Sequence, residues 1–215
     1  AITGRPAGWS EAFALAWPVN AIVAENGAVA LSRGADGRLQ KAHLQSEPVR
    51  RANFAHLQAV AQRILQALPQ TRLATDSPGR ETDIAIDHSE FAHLSEPDIT
   101  QVVALMREGG LNATVSSIHI NGWIGGHDKL EGARWVVRKH LGRDLDHELD
   151  RWVYVGDSTN DARMFSHFLH SVGVANVTRF LPQLSHPPRY ITPSERGAGF
   201  AEVVDALLAA RSAGA

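Results

Sequence analysis

The segment Trp152-Val-Tyr-Val-Gly-Asp-Ser-Thr-Asn-Asp-Ala-Arg-Met-Phe165 changes character twice. Trp152, Val153, Tyr154 and Val155 are apolar or aromatic residues of high β preference and read as a buried strand. Gly156 ends that strand, and Asp157, Ser158, Asn160 and Asp161 follow at once. Residues 162–168 then take on helical character. Two carboxylates, an amide and a hydroxyl therefore crowd the C-terminal end of a strand, where open α/β sheets bind their ligands. Asp157 and Asp161 on such a loop suit a hard, oxygen-seeking cation such as Mg2+. A helix start fits the same residues, with Asp157 or Ser158 as N-cap and Asp161 in the first turn.

The same alternation extends outward in both directions. Downstream, 171–175 and 190–192 read as short strands, and 199–210 as an amphipathic helix. Upstream, Lys129 opens a helix to Leu141 after the Gly-rich connection 122–128. A cation at that end opposes the helix dipole, which fits an anionic ligand there, and an ordinary surface lysine fits the same position. Residues 113–120 alternate as one strand, with Ser117 and His119 on one face. The strand 82–87 likewise puts Asp83 and Asp87 on one face, lining a cleft or facing solvent. Helices are expected at 51–68 and from Glu96 to Glu108, and a strand at 72–75, followed by the turn cluster Asp76-Ser77-Pro78-Gly79-Arg80. Residues 49–122 thus form a compact α+β module between two stretches of strand–helix alternation.

Near the start, Ser10 reads as the cap of a helix stopped by Pro18, and 21–24 as a short strand ending in Glu25-Asn26-Gly27-Ala28. Asp36-Gly37 between apolar runs marks a hairpin. Thr3-Gly4-Arg5-Pro6 reads as a strand-end turn, with Thr3 offering a hydroxyl and a backbone N–H to an anion. Ala1 and Ile2 read as the end of a strand whose body precedes them, so the sequence is expected to be a piece of a longer polypeptide.

The 215 residues are 44% hydrophobic and 20% charged, with net charge −2. That is an ordinary globular composition, with no clustered basic face for nucleic acid. Cysteine is absent, which excludes disulfide and thiolate chemistry and fits a cytoplasmic setting. No apolar run approaches the roughly 18 residues of a membrane span, and no signal peptide is visible. His167 and His170 are spaced as a metal pair or as part of a solvated helix face.

Taken together, the motifs resemble those of the haloacid-dehalogenase-like (HAD) hydrolases, over nearly the whole chain. The narrower likeness is to the subfamily with an inserted α+β cap, which includes sucrose-phosphate, mannosyl-3-phosphoglycerate and Cof-type phosphatases. Thr3-Gly4-Arg5-Pro6 is similar to the family's second motif, and Glu25-Asn26-Gly27-Ala28 to a hallmark of the capped subgroup. Lys129 in Asp-Lys-Leu-Glu-Gly-Ala is similar to the third motif, and Gly156-Asp157-Ser158-Thr159-Asn160-Asp161 to the fourth.

The resemblance implies an α/β fold. Its Rossmann-like parallel-sheet core, lacking its N-terminal strand, spans 1–48 and 123–215, and the cap spans 49–122. It implies Mg2+-dependent hydrolysis of a phosphate monoester, a sugar phosphate by preference, through an aspartyl-phosphate. Thr3, Lys129, Asp157 and Asp161 take the catalytic roles, the two aspartates also holding the metal. Gly4, Arg5, Asn26 and Asn160 complete the substrate contacts, with Arg80, Asp83, Ser117 and His119 contributed by the cap. The first motif, Asp-x-Asp-x-Thr, which supplies the nucleophile and general acid, is absent, so the chain as given is expected to be inactive. A phosphomutase of the same superfamily and a non-catalytic phosphate- or sugar-binding relative are the alternatives.

Overall fold

The computed structural model describes residues 1–213. The fold is mixed α/β, with one parallel and two antiparallel three-stranded sheets. The chain divides into two units, Ala1–Asp144 and Leu145–Ala215.

The first unit opens with residues 1–3 laid parallel to β1 (Ile22–Ala24) through an Ile2–Val23 bridge. Between them runs α1 (Ala7–Ala16). It starts earlier than the sequence suggests. Pro6 is its N-cap, and Ser10 lies inside the helix, its hydroxyl donating to the Pro6 carbonyl. β1, β2 (Val29–Arg33) and β3 (Leu39–His43) form an antiparallel meander. Its second turn carries the expected Gly37, at φ 77°. The first turn is less ordinary: Glu25, Asn26 and Gly27 all have positive φ. A Cβ on Gly27 would lie 2.1 Å from the Asp128 carbonyl oxygen, so only glycine lets this turn touch the start of α4 (Lys129–Leu141).

Further along the same unit, α2 (Glu47–Ala67) and α3 (Glu96–Glu108) pack on one face of a sheet ordered β4 (Asp83–Asp87), β6 (His119–Trp123), β5 (Asn112–Val115). Leu57, Ile64, Ile86, Met106 and Ile120 are fully buried there, each contributing about 1.5–3 kcal/mol of apolar burial. The helix expected at 51–68 begins earlier, because Ser46 takes the N-cap position and Pro48 fits the first turn. The strand expected at 72–75 is only a Leu73–Ile86 bridge. The single strand expected at 113–120 is broken by a turn. The Ser116 hydroxyl oxygen accepts from the His119 and Ile118 N–H groups and donates to the His119 carbonyl, which replaces strand geometry locally. Ser117 therefore sits in the turn, not on a strand face with His119.

In the second unit, β7 (Val153–Gly156), β8 (His170–Gly173) and β9 (Tyr190–Ile191) form the parallel sheet, with α5 (Ala162–His167) crossing between the first two. His167 ends α5 and pairs with Asp146 at 2.7 Å, while His170 opens β8, so the two histidines do not share a helix face. The last helix, α6 (Arg196–Ala213), is not amphipathic. Gly199 is its one buried residue among those described, and Phe200, Val204, Leu207 and Leu208 are exposed. Among the described residues no helix is long and apolar enough to cross a membrane.

Candidate active site

In the second unit the loop after β7 is built around Asp161. One oxygen of its carboxylate accepts the backbone N–H groups of Asp157 (2.8 Å) and Ser158 (3.1 Å). The other accepts the Tyr154 hydroxyl at 2.6 Å. Gly156 is needed at this point, because a Cβ there would come within 2.7 Å of the Asp161 carboxylate. Burial pushes the Tyr154 hydroxyl well above its ordinary pKa, and the Asp161 carboxylate adds to the shift, so Tyr154 remains a donor. The helix-start reading thus holds for Ser158 and Asp161, which form a capping box. Asp157 is left half-buried at the strand end, one carboxylate oxygen accepting the Asn176 side-chain amide at 3.0 Å. Asn160 faces the Ser158 hydroxyl at 2.7 Å.

This donor set is hard oxygen, the type that suits Mg2+. Asp157 fits a ligand role. Asp161 fits a brace better, since both its oxygens already serve the loop. Among the described residues no group of three or more His, Cys, Asp or Glu side chains is arranged to hold a metal ion.

In the first unit, Thr3 ends the short parallel pairing with β1. Its N–H donates to the Val23 carbonyl (2.9 Å), so that group is not offered to an anion as the sequence suggested. The Thr3 hydroxyl oxygen accepts the Arg5 N–H at 3.0 Å. Gly4 lets the turn close on Asn26, whose Oδ1 would be 3.0 Å from a Cβ at Gly4. The Thr3 and Arg5 carbonyls accept the Asn26 and Glu25 N–H groups, which zips this loop to the Glu25-Asn26-Gly27 turn. Lys129 is half-buried at the first position of α4, and the Asp128 carboxylate caps that helix by accepting the Leu130 and Glu131 N–H groups.

Within this unit the residues around β4 and β6 meet the Thr3–Arg5 turn through buried charge. The Arg80 guanidinium donates to Asp83 (2.8 Å), Asp76 (3.1 Å) and the Gly4 carbonyl (3.0 Å). Asp83 also accepts the Asn26 and Asn121 amides. Arg5 pairs with Asp76 (3.0 Å) and Glu90 (2.7 Å), and Glu90 also accepts His119 Nε2–H at 2.8 Å. Asp83, Asp87, His119 and Asn121 are all buried, which excludes a solvated sheet face. Gly4, Arg5, Asn26, Arg80, Asp83 and His119 are therefore brought into one network, and Ser117 stays outside it.

Sequence reasoning missed Glu25, Asp76, Glu90 and Asn121, whose partners lie far along the chain. It also missed Asn176. That residue lies just beyond β8, at the start of the 3-10 helix Ala175–Gln183.

Burial pushes the Asp83 carboxyl up to about 7, against the pull of Arg80. Between pH 4 and 7 the folded chain thus binds a proton that the unfolded chain releases. Stability should fall as pH rises through that window, by an amount on the order of a few kcal/mol. Asp76 and Glu90 act in the opposite sense. Burial raises both, but Arg80 and Arg5 on Asp76, and Arg5 and His119 on Glu90, bring them below their ordinary values. Their contribution is lost only at more acidic pH. Denaturant melts across pH should show stability declining from about 4.5 to 7 in the wild type and a flatter profile in Asp83→Asn.

No family model and no curated protein matches the sequence. Solved structures do match. A Thermoplasma acidophilum protein superposes with a TM-score of 0.66 at 17% identity, covering 95% of this chain and 80% of its own. A Bacteroides thetaiotaomicron phosphatase of the HAD enzyme superfamily gives a TM-score of 0.59 at 15% identity, with 95% and 79% covered. The sucrose-phosphatase of Synechocystis sp. PCC6803, solved with sucrose and phosphate, gives 0.58 at 14%, with 86% and 73% covered. The chain has a HAD-type fold. Thr3 follows the Ile2–Val23 bridge, Asp157 follows β7 and Lys129 opens α4.

Proposed function

We propose that the protein is a phosphatase that hydrolyses a phosphate monoester, a sugar phosphate by preference, with Mg2+ as cofactor. The observation that carries the reading is the Asp157 loop, which closes a parallel strand of a HAD-type fold and is braced by Asp161 independently of the Asp157 side chain. The sucrose and phosphate bound to the Synechocystis enzyme support the substrate class.

In this reading Asp157 holds Mg2+, with Asn160 nearby in the loop. The cation supplies charge neutralisation at phosphate oxygens. On the resemblance to the HAD hydrolases, the Lys129 ammonium would neutralise phosphate charge and the Thr3 hydroxyl would donate a hydrogen bond to a phosphoryl oxygen. Phosphoryl transfer depends chiefly on such positioning and neutralisation. The covalent step is attack of an aspartate carboxylate on phosphorus with departure of the sugar alkoxide, followed by hydrolysis of the acyl phosphate by water. Residues 1–215 contain no Asp-x-Asp-x-Thr, so the reading assigns the nucleophile to polypeptide outside them.

Acid quenching of the full-length polypeptide during turnover of a 32P-labelled sugar phosphate tests this. A hydroxylamine-labile label on an aspartyl peptide outside residues 1–215 is expected. Turnover without labelled protein, or with label on a residue within 1–215, would refute the mechanism.

A further inference from the structure

Glu90 lies in the stretch between β4 and α3, and no motif marks it. Three contacts define its place. The Asp87 carboxylate accepts the backbone N–H groups of Glu90, Phe91 and Ala92 (2.9, 3.0 and 3.1 Å), which folds the loop that carries it. The Glu90 side chain then takes Arg5 at 2.7 Å and His119 at 2.8 Å. Arg5 in turn stands two residues from Thr3 and donates its backbone N–H to the Thr3 hydroxyl.

Exposure sorts the members of this network. The side chains of Asp83, Arg80 and His119 are 0%, 1% and 3% exposed, whereas Arg5 and Glu90 are 26% and 20% exposed. A ligand reaching the network from solvent meets Arg5 and Glu90 first. Arg5 is the only cation of that pair, and two carboxylates already neutralise it. Arg80 is sealed behind it against Asp83 and Asp76. His119 is held neutral, its protonated form disfavoured by burial despite Asp76. The exposed part of the network is thus rich in acceptors, with no uncompensated positive charge.

We propose that Glu90 is a specificity-determining residue. It selects leaving groups that bear hydroxyls, which donate to its carboxylate, and rejects leaving groups that carry a second anion. The rejection has two parts, direct repulsion and the occupation of Arg5. This rests on the phosphatase reading and goes beyond it by naming the residue and the sign of its selection.

The test uses the full-length polypeptide, with glucose 6-phosphate and 3-phosphoglycerate as competing esters and p-nitrophenyl phosphate as a reference. In Glu90→Gln the kcat/KM ratio of 3-phosphoglycerate to glucose 6-phosphate should rise about tenfold, the effect of removing one partly screened charge a few ångströms away. Glu90→Asp, which keeps the charge, should hold the ratio within about threefold of wild type. Because both esters are measured on one preparation, loss of folded protein cancels from the ratio. A ratio unmoved in Glu90→Gln, or moved equally in Glu90→Asp, overturns the assignment of Glu90 while p-nitrophenyl phosphate hydrolysis keeps the phosphatase reading intact. Absence of hydrolysis of all three esters removes that reading, and the assignment with it.

Discussion

Replacing Glu25 with alanine is expected to destabilise the Ala1–Asp144 unit by about 4 kcal/mol or more, a large share of an ordinary domain's stability. Glu25 is fully buried, with its backbone at φ 50°. One carboxylate oxygen accepts the Ala7 N–H (2.9 Å), which starts α1. Both oxygens accept the Glu81 N–H, and the second also takes the Thr82 N–H and hydroxyl, each at 2.6 Å. Alanine leaves four donors without their acceptor in a dry site, and each such loss costs about 1–3 kcal/mol. Water entering the space offsets part of that sum. The same carboxylate joins the start of α1 to the residues that lead into β4, so the damage reaches both. Thermal unfolding followed by circular dichroism should show the midpoint falling by more than about 10 °C. A fall of one or two degrees would mean that the donors find other acceptors and that Glu25 does not hold these segments together.

The second large effect is on turnover. Asp157→Asn in the full-length polypeptide should lower Mg2+-dependent phosphate release by about a hundredfold or more, equivalent to about 2.7 kcal/mol of transition-state stabilisation. The substitution removes a charge and replaces a hard acceptor with an amide that binds Mg2+ poorly. The fold should survive it. The loop is held by the Asp161 carboxylate on the Asp157 and Ser158 N–H groups and on Tyr154, and those bonds do not use the Asp157 side chain. An unchanged melting temperature with lost turnover is therefore the expected pair of results. Unchanged turnover would sink the metal assignment. Lost turnover with a lowered melting temperature would make Asp157 a structural residue.

Much of the architecture was legible because its signals are local. The helix α4 begins at Lys129, after the Gly-rich connection, and ends at Leu141, as expected. The helix α3 likewise runs from Glu96 to Glu108 between a proline start and a glycine stop. The strand–loop–helix around Asp157 also follows from short-range preference. What escaped the sequence depends on distant partners or on side chains that compete with the backbone. Ser116 breaks an otherwise alternating strand because its hydroxyl satisfies the turn. Glu25 reads in the sequence only as the end of a short strand, yet its acceptors serve groups more than fifty positions away. Glu90 comes to its place only when Asp87 folds its loop and Arg5 arrives from 85 positions away. Asp161 suits a metal ligand by type and spacing, and its bracing contacts are not visible in that pattern. Tyr154, seven residues before it, supplies the contact that turns it inward.

The proposed Mg2+-dependent phosphatase activity is tested most directly by one titration. Phosphate release from glucose 6-phosphate by the full-length polypeptide is followed as Mg2+ is added to metal-free protein. Release that is absent with chelator, rises to saturation with Mg2+ and is reversed by renewed chelation is the predicted result. Release independent of Mg2+, or none from any phosphate monoester at saturating metal, would contradict it.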